Sequence, residues 1–450
     1  MNDLFTSYTG EPLYIQLYMY YRDLIINGTL KFGDRLPSIR KCAAEYGVSK
    51  LTVESAYMQL ATEGYVFTKS QSGVYVSQLS DLPRGRNENS TAEEAENEKR
   101  VVCDLSGSSS DSDCFDFGIW QKYIKNALRC EDRLLSYGEN QGEYDLRRAL
   151  SDYAGRQRSV VCRPSNIVVG AGVQNLLQLL CALDSERSSV IFIGSPFEQG
   201  IRIFEDYGYR VFRSAEEYDG TAPVSFIYVS PSHFSEQNDV MGISERINLL
   251  NFAREHNSIV IEDDFDSEFC YFSRPVPSLQ GLDGGEKTVY IGTMSRLLLP
   301  SIRISFMVLP QKLAEVYRQK GQFYNQTASK TEQIALARYI TDMRLTTQIR
   351  KARKLYEAKT EMMKSLIIQQ IKPETIGVSE SGFIIYFDTE CDKNNEQIKK
   401  LLFQNGINVK KVEQIEQRKI RTFVSSAGVL TDEIEASVKM LKNVLNLTKK

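Results

Sequence analysis

Along the first 78 residues, apolar positions recur at helical spacing and then switch to alternation. In EPLYIQLYMYYRDLIING the apolar side chains keep to one helical face, and Gly28 closes the run. FGDRLPSIRKCAAEYG opens in a turn, offers Ser38 as a helix start after Pro37, and stops at Gly47. VSKLTVESAYMQLATEGY restarts at once, with Ser49 as N-cap and Gly64 as stop. VFTKSQSGVYVSQL then forms two short β-rich runs around a Ser-Gly turn. Helix, helix, tight turn, helix and hairpin predict a winged helix-turn-helix over residues 1–78. Its third helix is short enough to lie in a major groove.

The pattern breaks at residues 79–105, LSDLPRGRNENSTAEEAENEKRVVCDL. So few apolar side chains cannot form a core, and the segment reads as a linker. From residue 106, short β-rich runs such as NIVVGAG, SVIFIG, VSFIYVS, SIVIEDD, TVYIG and ISFMVLP alternate with helical segments. This alternation predicts an α/β fold with a mostly parallel sheet covered on both faces. After about residue 330 a long helical stretch leads into SGFIIYFD, INVKKV and KIRTFVSSA, a smaller α+β lobe over about 331–450.

Composition changes this picture only by exclusion. At 450 residues the chain exceeds one ordinary core, and its 42% hydrophobic and 25% charged content is that of a soluble globular protein. No apolar run reaches the roughly 20 residues of a membrane span, and MNDLFTSYTGEPLY lacks a signal-peptide core, so a cytoplasmic protein without a membrane partner is expected. Eight scattered cysteines suit reduced thiols. With only two histidines, His233 and His256, neither a metal site nor a Ser-His-Asp relay is expected. A net charge of −3 means that any DNA recognition comes from a local surface.

Three stretches of the larger part converge on a phosphorylated, ring-bearing ligand. GAGVQN (170–175) follows a strand and opens a helix, where backbone N–H groups and the positive helix end suit an anion. IEDDFDSEF (261–269) puts Asp263 at the end of an apolar strand, the edge where α/β folds place ligand groups; a carboxylate there can hold a protonated ring nitrogen or simply be solvated. GTMSRLLLPSIR (292–303) adds Ser295 and Arg303, a hydroxyl and a guanidinium suited to phosphate oxygens.

These motifs, with PLYIQLY, GDRLPSIRKCAAEYGVSKLTVESAYMQLATEGYV, SYGENQGEYDLRRALSDY and KIRTFVSSA, resemble the MocR-type regulators. In these GntR-like transcription factors a winged helix-turn-helix is joined by a linker to a domain of aspartate-aminotransferase fold, and the resemblance covers nearly the whole chain. It implies that Asp263 pairs with the pyridine nitrogen of pyridoxal phosphate, while Gly172, Val173, Ser295 and Arg303 hold its phosphate. It places Arg421 at the position that binds a substrate carboxylate in the aminotransferase fold, here that of an effector, with an ion pair holding the small lobe as the alternative. In the first domain it implies DNA contacts from Arg35, Ser38, Arg40, Ser49, Lys50, Thr52 and Tyr57, with Gly73 at the wing tip. The implied partners are double-stranded operator DNA, a second copy of the chain, and a small-molecule effector such as an amino acid or a phosphorylated form of vitamin B6.

The chain departs from that pattern around one pocket. Arg296 stands where the family has the lysine that bonds covalently to the cofactor aldehyde. A guanidinium stays protonated and is no amine nucleophile at neutral pH, so no such bond can form and no catalytic residue is expected. Lys287 and Lys312 lie beyond the far ends of the flanking strands. Phe265 replaces a tyrosine, Glu198 replaces an aromatic, and FSEQND replaces a Pro-Thr-Gly run. The expectation is a DNA-binding regulator whose second domain dimerises and holds pyridoxal phosphate noncovalently, holds another small anion, or serves as scaffold only. The competing readings are a residual pyridoxal-phosphate-dependent aminotransferase and an interaction module that no longer binds DNA. The first domain carries about as many acids as bases, so useful affinity calls for a dimer presenting two heads.

Overall fold

The computed structural model describes residues 11–69, 72–78, 102–107, 112–195, 197–234, 240–265, 267–269, 276–295, 297–379, 382–416 and 418–446. The linker expected at 79–105 therefore lies mostly outside the described residues, as do Arg296 and most of FSEQND. The chain divides into two units, the first ending at Asn97 and the second beginning at Glu98.

The first unit runs α1 (Leu13–Ile26), α2 (Ile39–Tyr46), α3 (Lys50–Thr62), β1 (Val66–Lys69) and β2 (Gly73–Val76). Both shorter helices start where the sequence offers a hydroxyl. Ser38 Oγ accepts the Lys41 N–H at 3.3 Å, and Ser49 Oγ accepts that of Thr52 at 3.1 Å. Caps of this kind stabilise a helix by about 1 kcal/mol each. Leu17, Tyr21, Cys42, Val53, Ala56 and Leu60 interlock as the core. β1 and β2 pair antiparallel from Val66↔Val76 to Lys69↔Gly73, and a bridge from Arg35 to Tyr75 adds a third edge. The unit is a winged helix-turn-helix.

The second unit opens with β3 (Cys103–Leu105), α4 (Phe117–Leu128), α5 (Glu131–Leu134) and α6 (Tyr144–Arg158). Alternating elements follow: β4 (Ile167–Gly170), α7 (Val173–Leu183), β5 (Ser189–Ile193), α8 (Glu198–Asp206), β6 (Arg210–Phe212), β7 (Phe226–Val229), α9 (Ile243–Glu255), β8 (Ile259–Asp264), α10 (Leu279–Asp283), β9 (Thr288–Thr293), β10 (Ser305–Val308) and α11 (Gln311–Lys320). Last come α12 (Lys330–Thr341), α13 (Arg344–Gln370), β11 (Ile376–Val378), β12 (Ile384–Glu390), α14 (Asn395–Gln404), β13 (Ile407–Val409), β14 (Lys411–Glu416), β15 (Lys419–Ser425) and α15 (Ile434–Asn446).

Seven strands form one sheet in the order β4-β10-β9-β8-β7-β5-β6, in which β10 alone runs against its neighbours. β4, β5, β7 and β8 are buried nearly throughout, as expected of strands covered on both faces. The smaller lobe carries the antiparallel sheet β11-β12-β15-β14 and the parallel pair β13-β3.

Two boundaries differ from those expected. Cys103–Leu105, assigned to the linker, is a strand: Cys103 and Leu105 are buried in the lobe core, and the N–H groups of Val102 and Cys103 both donate to the Gly406 carbonyl, at 2.9 and 3.0 Å. The lobe also starts later than residue 331. The apolar side chains of α12 pack with α4 and α6 in the core of the larger part. α13 belongs to both cores, through Leu345, Ile349 and Tyr356 on one side and Met363 and Ile367 on the other. Among the described residues no helix is long and apolar enough to cross a membrane, and no group of side chains could hold a metal ion.

Candidate ligand site and DNA-facing elements

The parallel strands end on one edge of the sheet, and the expected ligand residues follow their C-terminal ends. β4 ends at Gly170, and Gly172 caps α7 with φ 102. That φ favours glycine, and the missing Cβ, which would lie 2.5 Å from Arg303 Nη2, leaves the guanidinium room beside the helix start. Arg303 Nη2 also faces the Ala171 carbonyl at 3.5 Å, and the side chain remains exposed. The turn is braced by residues that sequence reading passed over. The Ala171 N–H donates to Thr327 Oγ1 at 3.1 Å, and Thr327 in turn donates to Asn175 Oδ1 at 2.7 Å.

Buried hydroxyls gather at the same edge. Ser230 follows β7, Ser267 follows β8 and Ser295 follows β9, and each Oγ is buried without a hydrogen-bond partner among the described residues. Adjacent strands lie about 4.8 Å apart, so three such groups on neighbouring strand ends suit a polar ligand.

Asp263, the penultimate residue of β8, is almost fully buried and accepts a hydrogen bond from the Tyr228 hydroxyl. Burial and the Asp263 charge push the Tyr228 phenol well above its ordinary range. The Tyr228 ring lies 4.8 Å from that of Phe192 and 5.9 Å from that of Phe197. The continuous apolar run FIYV marks Tyr228 as buried, but not as the partner of an acid 35 residues on, in the neighbouring strand. Phe265 stacks on His233 at 4.4 Å with the rings 8° from parallel. Glu198 points elsewhere, to Arg213 at 3.2 Å.

Behind Asp263 the alternation of β8 sends Glu262 and Asp264 to the opposite face. Asp264 Oδ2 accepts from Arg158 Nε at 2.7 Å and from the Tyr290 hydroxyl at 2.9 Å. Glu262 accepts the N–H groups of Leu279 and Gln280, at 2.8 and 3.0 Å. Glu268, bonded by the Tyr153 hydroxyl at 2.8 Å, is pushed up to about 7 by burial and by Asp264. This network fixes the strand end that presents Asp263.

Neither nearby lysine reaches the site. Lys287 precedes β9 and bonds Asn257, six residues and so about 20 Å from the strand's other end. Lys312 follows β10, which runs antiparallel and returns to that same far edge.

Arg421 is engaged within the small lobe. Its Nε and Nη2 donate to the two carboxylate oxygens of Asp388, at 2.7 and 2.9 Å, and its guanidinium lies 5.2 Å from the Tyr386 ring centre. Asp388 is directly opposite in the β12–β15 register, so the fork is filled within the lobe. The pairing also holds the Asp388 carboxyl below its ordinary range.

In the first unit Arg35, Ser38, Arg40, Ser49 and Lys50 are exposed and Thr52 is partly so. Tyr57 is a correction: it is 4% exposed, donates to the Pro37 carbonyl at 3.0 Å and stacks edge-on with Tyr21. Its place on the inner face of α3 makes it a core residue. Gly73, with φ 127, lets Arg35 lie against the wing; a Cβ there would sit 2.8 Å from Arg35 Nε.

Comparison with known proteins matches these units separately. Residues 13–76 match the bacterial regulatory proteins of the gntR family, and residues 116–221 and 240–440 match aminotransferase class I and II. The chain is 33% identical over 446 residues to the uncharacterised HTH-type transcriptional regulator YdeL of Bacillus subtilis, covering 96% of each chain. It is 30% identical to the probable rhizopine catabolism regulatory protein MocR of Rhizobium meliloti, over 79% of this chain and 77% of that one. It is 26% identical to the pyridoxine biosynthesis regulator PdxR of Corynebacterium glutamicum, over 89% and 88%. Among solved structures, the kynurenine aminotransferase of Pyrococcus horikoshii superposes with a TM-score of 0.65 at 19% identity, over 83% of this chain and all of that one, which shows the shared fold. The chain belongs to the gntR family of bacterial regulators, in the branch that carries a class I and II aminotransferase domain behind the winged helix.

Proposed function

We propose that this DNA-binding transcription regulator uses its aminotransferase-like domain as a dimerisation and ligand-sensing module that forms no covalent bond to a cofactor. The observation that carries the reading is an arginine, Arg296, one residue beyond Ser295, in a site whose anion-binding groups remain. The residues fit pyridoxal phosphate. The start of α7, Ser295 and Arg303 would hold the phosphate, and Asp263, steadied by Tyr228, would face the ring nitrogen. When bound, that group supplies an electron-withdrawing ring to amino-acid chemistry, but transamination also needs an amine to carry the cofactor and move the proton. Neither Arg296 nor the remote Lys287 and Lys312 supplies one.

A dimer is supported by the bare segment between α5 and α6, where Leu135 is 88% and Tyr137 99% exposed. Two heads on one dimer would read paired half-sites. A ligand acts on them only through different affinities for different head arrangements.

Borohydride trapping tests the reading. Wild-type protein mixed with pyridoxal phosphate and reduced gives no adduct near residue 296, whereas Arg296→Lys does. A wild-type adduct at a lysine of the site, with steady turnover of an amino acid and a keto acid, would overturn it.

A further inference from the structure

We propose that Leu51 and Glu54, on the outward face of α3, read bases in the major groove. Leu51 would meet the methyl group of a thymine, and Glu54 the exocyclic amine of a nearby cytosine. The inference rests on the reading of the first unit as a DNA-binding module.

α3 turns Val53, Ala56, Tyr57 and Leu60 inward, which leaves Lys50, Leu51, Glu54 and Met58 outward. Leu51 is the second residue of the helix and is 71% exposed, outside the core of its unit. Glu54 lies three residues on and so beside it on the surface. The hydroxyls that would otherwise reach base edges are tied up at the helix start: Ser49 Oγ lies 2.8 Å from Thr52 Oγ1 and also accepts the Thr52 N–H. Beside Lys50, the outward face of the first five residues therefore presents one apolar and one acceptor-only side chain.

The groove chemistry narrows what these can meet. Thymine C5-methyl is the apolar feature of the major groove, and cytosine N4 is its donor without an adjacent acceptor on the same base. A carboxylate is repelled by phosphates and by guanine O6 and N7. The exposed cations Arg40, Lys41 and Lys50 suit the phosphates instead.

The test uses the full-length protein. Selection from a random duplex library defines the bound site, and each thymine in it is then replaced by uracil, which lacks only the methyl. One replacement per half-site is expected to weaken binding about fourfold, the factor corresponding to one buried methyl-sized group. Leu51→Ala is expected to weaken binding by a similar factor and to be blind to that replacement. Glu54→Gln relaxes preference at one C·G pair about tenfold while leaving the thymine preference intact. Unchanged far-ultraviolet circular dichroism and melting of both variants show that the fold is kept. The proposal fails if no uracil shifts binding twofold, if Leu51→Ala stays methyl-sensitive, or if Leu51→Ala changes oligomeric state instead of base preference. Wild-type protein that binds no duplex even at low salt overturns the DNA-binding reading, and the inference with it.

Discussion

At the phosphate end of the candidate site the groups are the amides of a helix start and an arginine that reaches solvent. The ring end rests on side chains with almost no solvent contact: Asp263 on Tyr228, and behind it Asp264, Glu262 and Glu268 with Arg158, Tyr290 and Tyr153. The first arrangement depends on backbone geometry and tolerates changes in its neighbours. The second depends on partners drawn from distant parts of the chain, so each change is felt as stability. On the reading proposed above, the departures from the family pattern (Phe265, Glu198 and Arg296) spare the residues assigned to the phosphate, Gly172, Ser295 and Arg303.

The comparison breaks if mutations at the two ends act alike. The largest effect is expected from Arg158→Ala, which leaves Asp264 buried without its cation and costs about 3–5 kcal/mol of stability in denaturant titration. Glu268 sets a pH dependence. Its carboxyl titrates near 7 in the folded protein against 4.5 when unfolded, so the native state holds the extra proton between those values. Its contribution is therefore present at low pH and is lost as pH rises from about 4.5 through about 7, by at most about 3 kcal/mol. Thermal melts across that range should fall with pH in the wild type and fall less steeply in Glu268→Gln, where Glu262, also pushed up to about 7 by burial and by Asp264, keeps part of the dependence. Tyr228→Phe removes one hydrogen bond to a buried carboxylate and should cost about 2 kcal/mol in the same titration. The phosphate end should respond least in stability. Arg303→Ala should leave the melting temperature unchanged within a degree or so and weaken pyridoxal phosphate binding about tenfold, the effect of one lost charge-assisted contact. A loss of stability in Arg303→Ala as large as in Arg158→Ala would erase the distinction.

The same contrast explains what the sequence discloses. The capping serines, the glycine pair before α7 and the periodicity of strands and helices are local signals, and the structure bears out the elements they predict. Tyr57 misled because its role is set by partners far along the chain, Pro37 and Tyr21, and Asp388 as the partner of Arg421 is equally remote in sequence. Tyr228, Thr327 and Asn175 escaped notice for the same reason. β3 is too short to announce itself without β13, and α12 looks like any amphipathic helix until α4 and α6 receive it.

The pairing of β3 with β13 has a mechanical consequence. The chain that follows the first unit therefore joins the second at the small lobe, through β3 beside Gly406, and not at the seven-stranded sheet. Any movement of that lobe would carry this point of attachment with it.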